Sequence, residues 1–272
     1  LPLDPYDALC PYLVKRFNDR LVLAGKLELA GWLTPRPGVE WVELVRPEYY
    51  RIALEENLCQ KVTSAFKEFI KENILSSVPG LIIVDHSLAG ATIRTLAERY
   101  GSEAITCIML DSHFDGIPSR LRYPRSKAGF PLPDTYHCGS FLHYLIEEGS
   151  IIAKNLILVG VSDHPGSPSH PDACASSYLD YARQGVTFFT KYQVRDPRFE
   201  ESFRARLDAI RTPFVYISLD ADAGACNCLP AVRFMDTLGM EKDEILSVAE
   251  MIGERIQRGQ FRLAGFDISE ID

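Results

Sequence analysis

Short apolar runs rich in Val, Ile, Leu and Phe alternate along this chain with stretches of helical period, and that alternation narrows the fold more than any other feature. A strand that is apolar throughout is buried on both faces, and strands separated by helices run parallel. The pattern therefore predicts an α/β chain with three layers, α/β/α, around a mostly parallel central sheet. The runs are GLIIV (80–84), AITCIML (104–110), NLILVGV (155–161), VTFFTKYQV (186–194), PFVYISL (213–219) and FRLAGF (261–266). A helix is predicted over 90–100, where Ile93, Leu96 and Ala97 share one face and Gly101 marks the stop. Another is predicted over 241–258, where Ile245, Val248, Ala249, Ile252 and Ile256 make one stripe. Segments 141–149 and 199–210 follow the same period.

No internal repeat and no Gly/Ser linker divides the 272 residues, so residues 1–272 read as one α/β domain. The first 45 residues are less regular: the TPRPG loop at 34–38 separates two apolar patches, with a strand expected at VEWVEL (39–44). Two segments are expected as long loops, 116–136 and 162–176, and loops of that length in a compact domain often bind or cover a ligand. With 37 acidic against 29 basic side chains the net charge is -8, which repels phosphate backbones and anionic headgroups; neither nucleic acid nor membrane is an expected partner. ILSSVPGLIIV falls well short of the roughly 20 apolar residues of a membrane helix. Seven cysteines, an odd number at low density, fit a reducing compartment, so a cytoplasmic location is expected.

In open parallel sheets ligands bind beyond the carboxyl ends of the strands. Those ends are strongly biased here: GLIIV runs into Asp85 and His86, AITCIML into Asp111, His113 and Asp115, PFVYISL into Asp220 and Asp222, and FRLAGF into Asp267 and Glu270. In Asp111-x-His113-x-Asp115 and Asp220-x-Asp222 the side chains are two apart, so an extended segment turns them all to one side. Four aspartates crowded together resist ionisation unless cations sit among them. Two divalent ions match four carboxylates in charge, with His86 and His113 as neutral donors, and that balance predicts a binuclear centre. Carboxylate and imidazole ligands without thiolate favour Mn²⁺, with Zn²⁺, Fe²⁺, Co²⁺ and Ni²⁺ left open.

VDHSLAG, LDSHFDG and SLDAD, in that order, resemble the three metal motifs of the ureohydrolase superfamily of arginases, agmatinases and formiminoglutamases. The resemblance covers roughly residues 80 to 272. It implies the arginase-like fold and makes His86, Asp111, His113, Asp115, Asp220 and Asp222 the ligands of two Mn²⁺ ions per chain, with Asp111 and Asp220 as bridges. YHCGSFLHYLIEEG resembles the segment that holds the family's catalytic histidine, which singles out His137 over His143. GFDISEID resembles the final motif, whose glutamate, here Glu270, holds the substrate's guanidinium. The implied reaction is attack of a metal-bridging hydroxide on the amidine carbon, with His137 passing a proton to the departing amine and urea released from a guanidine. The family also implies trimers or hexamers, and a further helix beyond Asp272.

The chain departs from its relatives in places. Ile83 and Val84 stand where two glycines usually precede the first Asp-His, and AGACNCLP follows the last metal motif in place of Asp-Pro. Arginases follow the second motif with a short Ser/Asn loop that grips an amino acid; here Asp115 and His137 are separated by a loop carrying Arg120, Arg122, Arg125 and Lys127. The expected substrate is therefore a small linear amidine or guanidine of the agmatine or guanidino-acid type rather than arginine. The basic loop, Arg122 included, is either a solvated face or a clamp for a substrate carboxylate or phosphate.

Asp163 after NLILVGV either reaches the far end of the substrate or forms a turn before His164 and Pro165. A lone Asp-x-His-x-Asp is weak evidence, because charged loop residues are common; three motifs in order, each at a strand end, are not. For His137 the plainer role is a hydrogen-bonding loop histidine. Cys138 is discounted as a nucleophile, since neighbours on an extended segment point apart. Two other functions share these parts: a two-metal phosphoesterase, which the basic loop would serve, and a metal-binding homologue without catalysis.

Overall fold

The computed structural model describes residues 4–28, 47–74, 76–122, 133–166, 172–230, 232 and 239–271. The apolar runs supply the sheet: β1 (Gly80–Ile83), β2 (Ile105–Leu110), β3 (Leu156–Val161), β4 (Thr187–Thr190), β5 (Phe214–Asp220) and β6 (Arg262–Ser269). Their order across the sheet is β1-β6-β5-β2-β3-β4, and every pairing is parallel. β2 and β3 are buried at all positions, which is why they read as unbroken apolar runs. VEWVEL lies outside the described residues.

The helices described are α1 (Pro5–Phe17), α2 (Pro47–Glu55), α3 (Leu58–Asn73), α4 (Ala89–Tyr100), α5 (Ser119–Arg122), α6 (Phe141–Glu147), α7 (Asp172–Arg183), α8 (Lys191–Val194), α9 (Phe199–Asp208) and α10 (Lys242–Gln257). They cover both faces of the sheet. On one side Phe66 and Ile70 of α3, Ile93 and Leu96 of α4 and Leu142 and Leu145 of α6 pack with Cys107, Met109, Leu156 and Leu158. On the other, Phe203 and Leu207 of α9 and Val248, Met251 and Ile252 of α10 pack with Ile108, Leu110, Ile157 and Val159. Alternate residues of the same two strands thus feed opposite cores, completing three layers.

Two expectations are corrected. VTFFTKYQV is not one strand: it stops at Thr190 and turns into α8, because Thr190 and Gln193 form a capping box. Gln193 N donates to Thr190 Oγ1 at 3.3 Å and Thr190 N to Gln193 Oε1 at 2.8 Å, so T-x-x-Q was a helix start inside an apolar run. Both long loops also contain helix: α5 lies within 116–136, and α7 begins within 162–176.

Gly90 of α4 fixes the packing beneath the site, since a methyl group there would overlap the hydroxyl of Tyr136, the residue before His137. That hydroxyl donates to the carbonyl of Ser87. Gly90→Ala is expected to destabilise the protein by about 1–3 kcal/mol despite alanine's better helix propensity. Denaturant unfolding of the two proteins measures it.

Candidate metal centre

The parallel order places the carboxyl ends of β1, β6, β5 and β2 side by side, and the acidic and histidine residues of all four meet there. β1 ends at Ile83, and Asp85 then caps a 3-10 turn, His86–Leu88, by accepting from Ser87 N at 3.0 Å. That turn swings His86 inward to complete burial. Its ring packs against Phe141, with centroids 4.9 Å apart. Past β2, Asp111 Oδ1 accepts from His113 N at 2.6 Å, and Asp222 Oδ1 accepts from Ser112 N at 3.1 Å, which ties the second and third motifs together. Past β5, Asp220 Oδ1 accepts from Asp222 N at 3.0 Å.

His86 Nδ1 lies 3.1 Å from Asp111 Oδ2, 3.1 Å from Asp115 Oδ2 and 3.2 Å from Asp220 Oδ2. His113 Nδ1 lies 2.7 Å from Asp222 Oδ2 and 3.9 Å from Asp111 Oδ1. Two groups with donor atoms mutually within 4.8 Å result: His86, Asp111 and Asp115, and Asp111, His113 and Asp222. Asp111 belongs to both. Asp220 stands against His86 and also groups with Asp222 and Glu270. All six residues named from the motifs are therefore in one cluster, and all but His113 are buried.

The electrostatics are those of a site short of positive charge. Burial, then Asp115 and Asp222, pushes Asp111 well above the carboxylate range. Burial and Asp222 push Asp220 up to about 6. Burial alone would lower the two histidines, but the neighbouring carboxylates of Asp111, Asp115 and Asp220 raise His86, and Asp222 raises His113. One ring nitrogen carries at most one proton, so it cannot satisfy three carboxylate oxygens at once. Asp111 Oδ2 is accordingly buried without a hydrogen-bond partner. Such convergence of oxygen and imidazole donors fits divalent cations of the harder kind.

Glu270 follows β6 with φ of 59°, a left-handed conformation that costs a side-chain-bearing residue on the order of 1 kcal/mol. Its backbone N–H is held by Ile83 O at 3.1 Å, and its carboxyl sits with Asp220 and Asp222 on one side and Asp85 and Cys138 on the other. Burial, then Asp220, Asp85 and Asp115, raises it to about 9. The thiol of Cys138 groups with Asp85 and Glu270. Burial, then Asp85, Asp115 and Glu270, pushes this thiol well above the usual range, which disfavours the thiolate.

His137 Nδ1 accepts from Gly139 N at 3.1 Å, and Nε2 lies 2.5 Å from Ser119 Oγ of α5. His143 pairs with the hydroxyl of Tyr181 at 2.6 Å, away from the metal motifs. Asp163 is buried and its Oδ2 accepts from Phe114 N at 3.4 Å, bracing the segment that bears His113 and Asp115. In the basic loop Arg120 is paired with Asp134, while the side chain of Arg122, with Arg125 and Lys127, lies outside the described residues.

Asp267, expected at the rim with the other carboxylates, sits inside β6 and accepts from Tyr216 and Ser218 instead. Ser218, Tyr216 and Ser119 are polar neighbours of the site that sequence reasoning passed over. The signal available for the first two was their spacing: Tyr216, Ser218 and Asp220 are alternate residues of β5 and so share a face.

Proclavaminate amidinohydrolase of Streptomyces clavuligerus is 27% identical over 192 residues, 69% of this chain and 51% of that protein. Formimidoylglutamase of Bacillus subtilis is 24% identical over 198 residues, 72% of this chain and 54% of that protein. The chain thus spans about half the length of the curated relatives it matches. The crystal structure of the Bacillus enzyme superposes with a TM-score of 0.59 at 21% identity, covering 79% of this chain and 59% of that one. Trypanosoma cruzi formiminoglutamase with Mn²⁺ superposes with a TM-score of 0.57 at 16% identity, covering 80% and 64%. The family model of the arginase family matches residues 27–272, a span that contains every strand and every ligand motif described above, and the chain belongs to that family.

Proposed function

We propose that this chain hydrolyses a carbon–nitrogen bond of a small linear amidine or guanidine, of the agmatine or guanidino-acid type, at a centre of two Mn²⁺ ions. The observation that carries this reading is Asp111, a buried carboxylate shared by the two ligand groups that contain a histidine, with a fifth carboxylate, Glu270, beside them. The names of both curated relatives describe chemistry at an amidine-type carbon, and the Trypanosoma structure contains Mn²⁺.

His86, Asp111, Asp115 and Asp220 would hold one ion, and Asp111, His113, Asp220 and Asp222 the other. Two such ions, when bound, supply Lewis acidity and bring the pKa of an attacking water down from about 15.7 toward neutrality. The remaining steps fall to the chain itself. Glu270 would receive the cationic amidine, whose charge offsets the carboxylates that hold its proton on, and would orient the reacting carbon. His137 has its Nδ1 occupied by the Gly139 N–H, so Nε2 is the nitrogen that would pass a proton to the departing amine, with Ser119 Oγ as its neighbour.

The Mn²⁺-loaded protein should release urea or ammonia, or formamide from the formimino compound, with at least one of agmatine, arginine, guanidinobutyrate, guanidinopropionate, formiminoglutamate and guanidine. Inactivity on the whole panel with two ions bound would contradict the proposal. Glu270→Gln should keep both ions, as measured by metal analysis, while kcat/KM falls by about 10²-fold or more through loss of the charge that holds the amidine.

A further inference from the structure

We propose that Ser218, Asp267 and Tyr216 form a buried relay that fixes the tautomer of His86, leaving its Nδ1 lone pair aimed at the site. The assignment rests on the reading of His86 as a metal ligand and adds to it three positioning residues. The register of the sheet builds the relay: Ser218 of β5 is paired with Asp267 of β6, and Tyr216 lies two residues before Ser218 on the same face. Asp267 accepts at both oxygens, from the Tyr216 hydroxyl at Oδ2 and from Ser218 Oγ, 2.8 Å away, at Oδ1. Ser218 Oγ is also 2.9 Å from His86 Nε2.

The direction of the chain follows from what each group can do. A carboxylate has no proton to give, so the Ser218 hydrogen is committed to Asp267. Its oxygen is then left only lone pairs toward the imidazole, and Nε2 must carry the ring proton and donate. Nδ1 is the nitrogen left for a cation, and it is the one facing Asp111, Asp115 and Asp220. All four relay groups are buried to 1% exposure or less, so no water competes for these bonds. A metal-ligating histidine whose second nitrogen is held in this way loses rotational freedom, and removing such a partner typically weakens metal binding 10- to 100-fold.

The test has two parts. In the Zn²⁺-loaded protein labelled with ¹⁵N-histidine, long-range ¹H–¹⁵N correlation should show His86 protonated at Nε2 and bare at Nδ1; this needs no variant. Titration calorimetry with MnCl₂ should then show one of two sites weakened about 10- to 100-fold in Ser218→Ala and in Asp267→Asn, with the other much less affected. The amide accepts at only one of its two positions, so it cannot take both hydroxyl protons. A purely structural role would lower stability without moving the tautomer. A proton on Nδ1, or unchanged Mn²⁺ affinity at both sites in both variants, overturns the relay while leaving the metal reading intact. Failure of the unaltered protein to bind Mn²⁺ overturns both.

Discussion

Asp111→Ala is expected to retain no more than one Mn²⁺ per chain and to lose amidine hydrolysis by on the order of 10³-fold or more. Asp111 belongs to both of the ligand groups that contain a histidine, so its removal takes an oxygen from each, along with a unit of the charge that two divalent ions require. Its carboxylate lies within the cluster at zero exposure, where water cannot replace the missing ligand efficiently. The loss expected is that of a group acting only on the transition state, with kcat falling rather than KM rising. Asp111→Asn separates charge from shape: it should fold as the parent does and still fail to hold the second ion. Metal analysis after gel filtration, alongside turnover, decides the matter. Two ions per chain in either variant would remove Asp111 from its bridging role.

The second large effect is on stability. Stripped of metal, the protein should become less stable as pH rises from about 5 to about 9, contrary to the usual behaviour of carboxylate-rich proteins. Asp220 and Asp267 are raised by burial to about 6 and Glu270 to about 9, whereas the unfolded chain titrates these groups near 4. Across that interval the folded state holds more protons, so stability falls with rising pH. His86 and His113 act in the same direction: their pKa values are raised in the fold, and their contribution is present below about 6.5 and lost as pH passes the folded values. Surface carboxylates with the opposite shift, such as Asp196, lowered to about 2 by Arg198, exert their effect below this window. Mn²⁺ displaces the extra protons, so its stabilisation should grow with pH. Thermal unfolding at pH 5.5, 7 and 8.5 is expected to show the chelator-treated Tm falling by about 5 °C or more, and Mn²⁺ raising Tm most at pH 8.5. A metal-free Tm that climbs across this range would contradict the electrostatic account of the cluster.

Much of this was legible in the sequence because burial on both faces leaves an unmistakable mark. β2 and β3 could be read as strands from their unbroken apolar runs, and the order of the Asp and His residues after them pointed to the carboxyl edge of the sheet where Asp111, His113 and Asp115 lie. The alternation rule failed where the backbone stops being extended. It was the ground for discounting Cys138 as a nucleophile, yet His137 is the cap of a 3-10 turn, Cys138–Ser140, rather than part of an extended segment, and the thiol groups with Asp85 and Glu270. Taking the end of an apolar run for the end of a strand grouped Asp267 with the rim carboxylates, although β6 continues to Ser269 and keeps Asp267 within the sheet. Thr190 shows the same limit: an apolar run conceals a helix start when the capping pair is short and polar. The relay beneath His86 was illegible for another reason, since it depends on the register between β5 and β6, and register is a property of two strands rather than of either sequence.

The central claim is that two ions share Asp111, and anomalous scattering at the manganese edge from crystals soaked in MnCl₂ tests it most directly. The account predicts two peaks, one beside His86 and Asp115 and the other beside His113 and Asp222, with Asp111 between them. A single peak at saturating Mn²⁺, or two peaks of which one has no contact with Asp111, would contradict it.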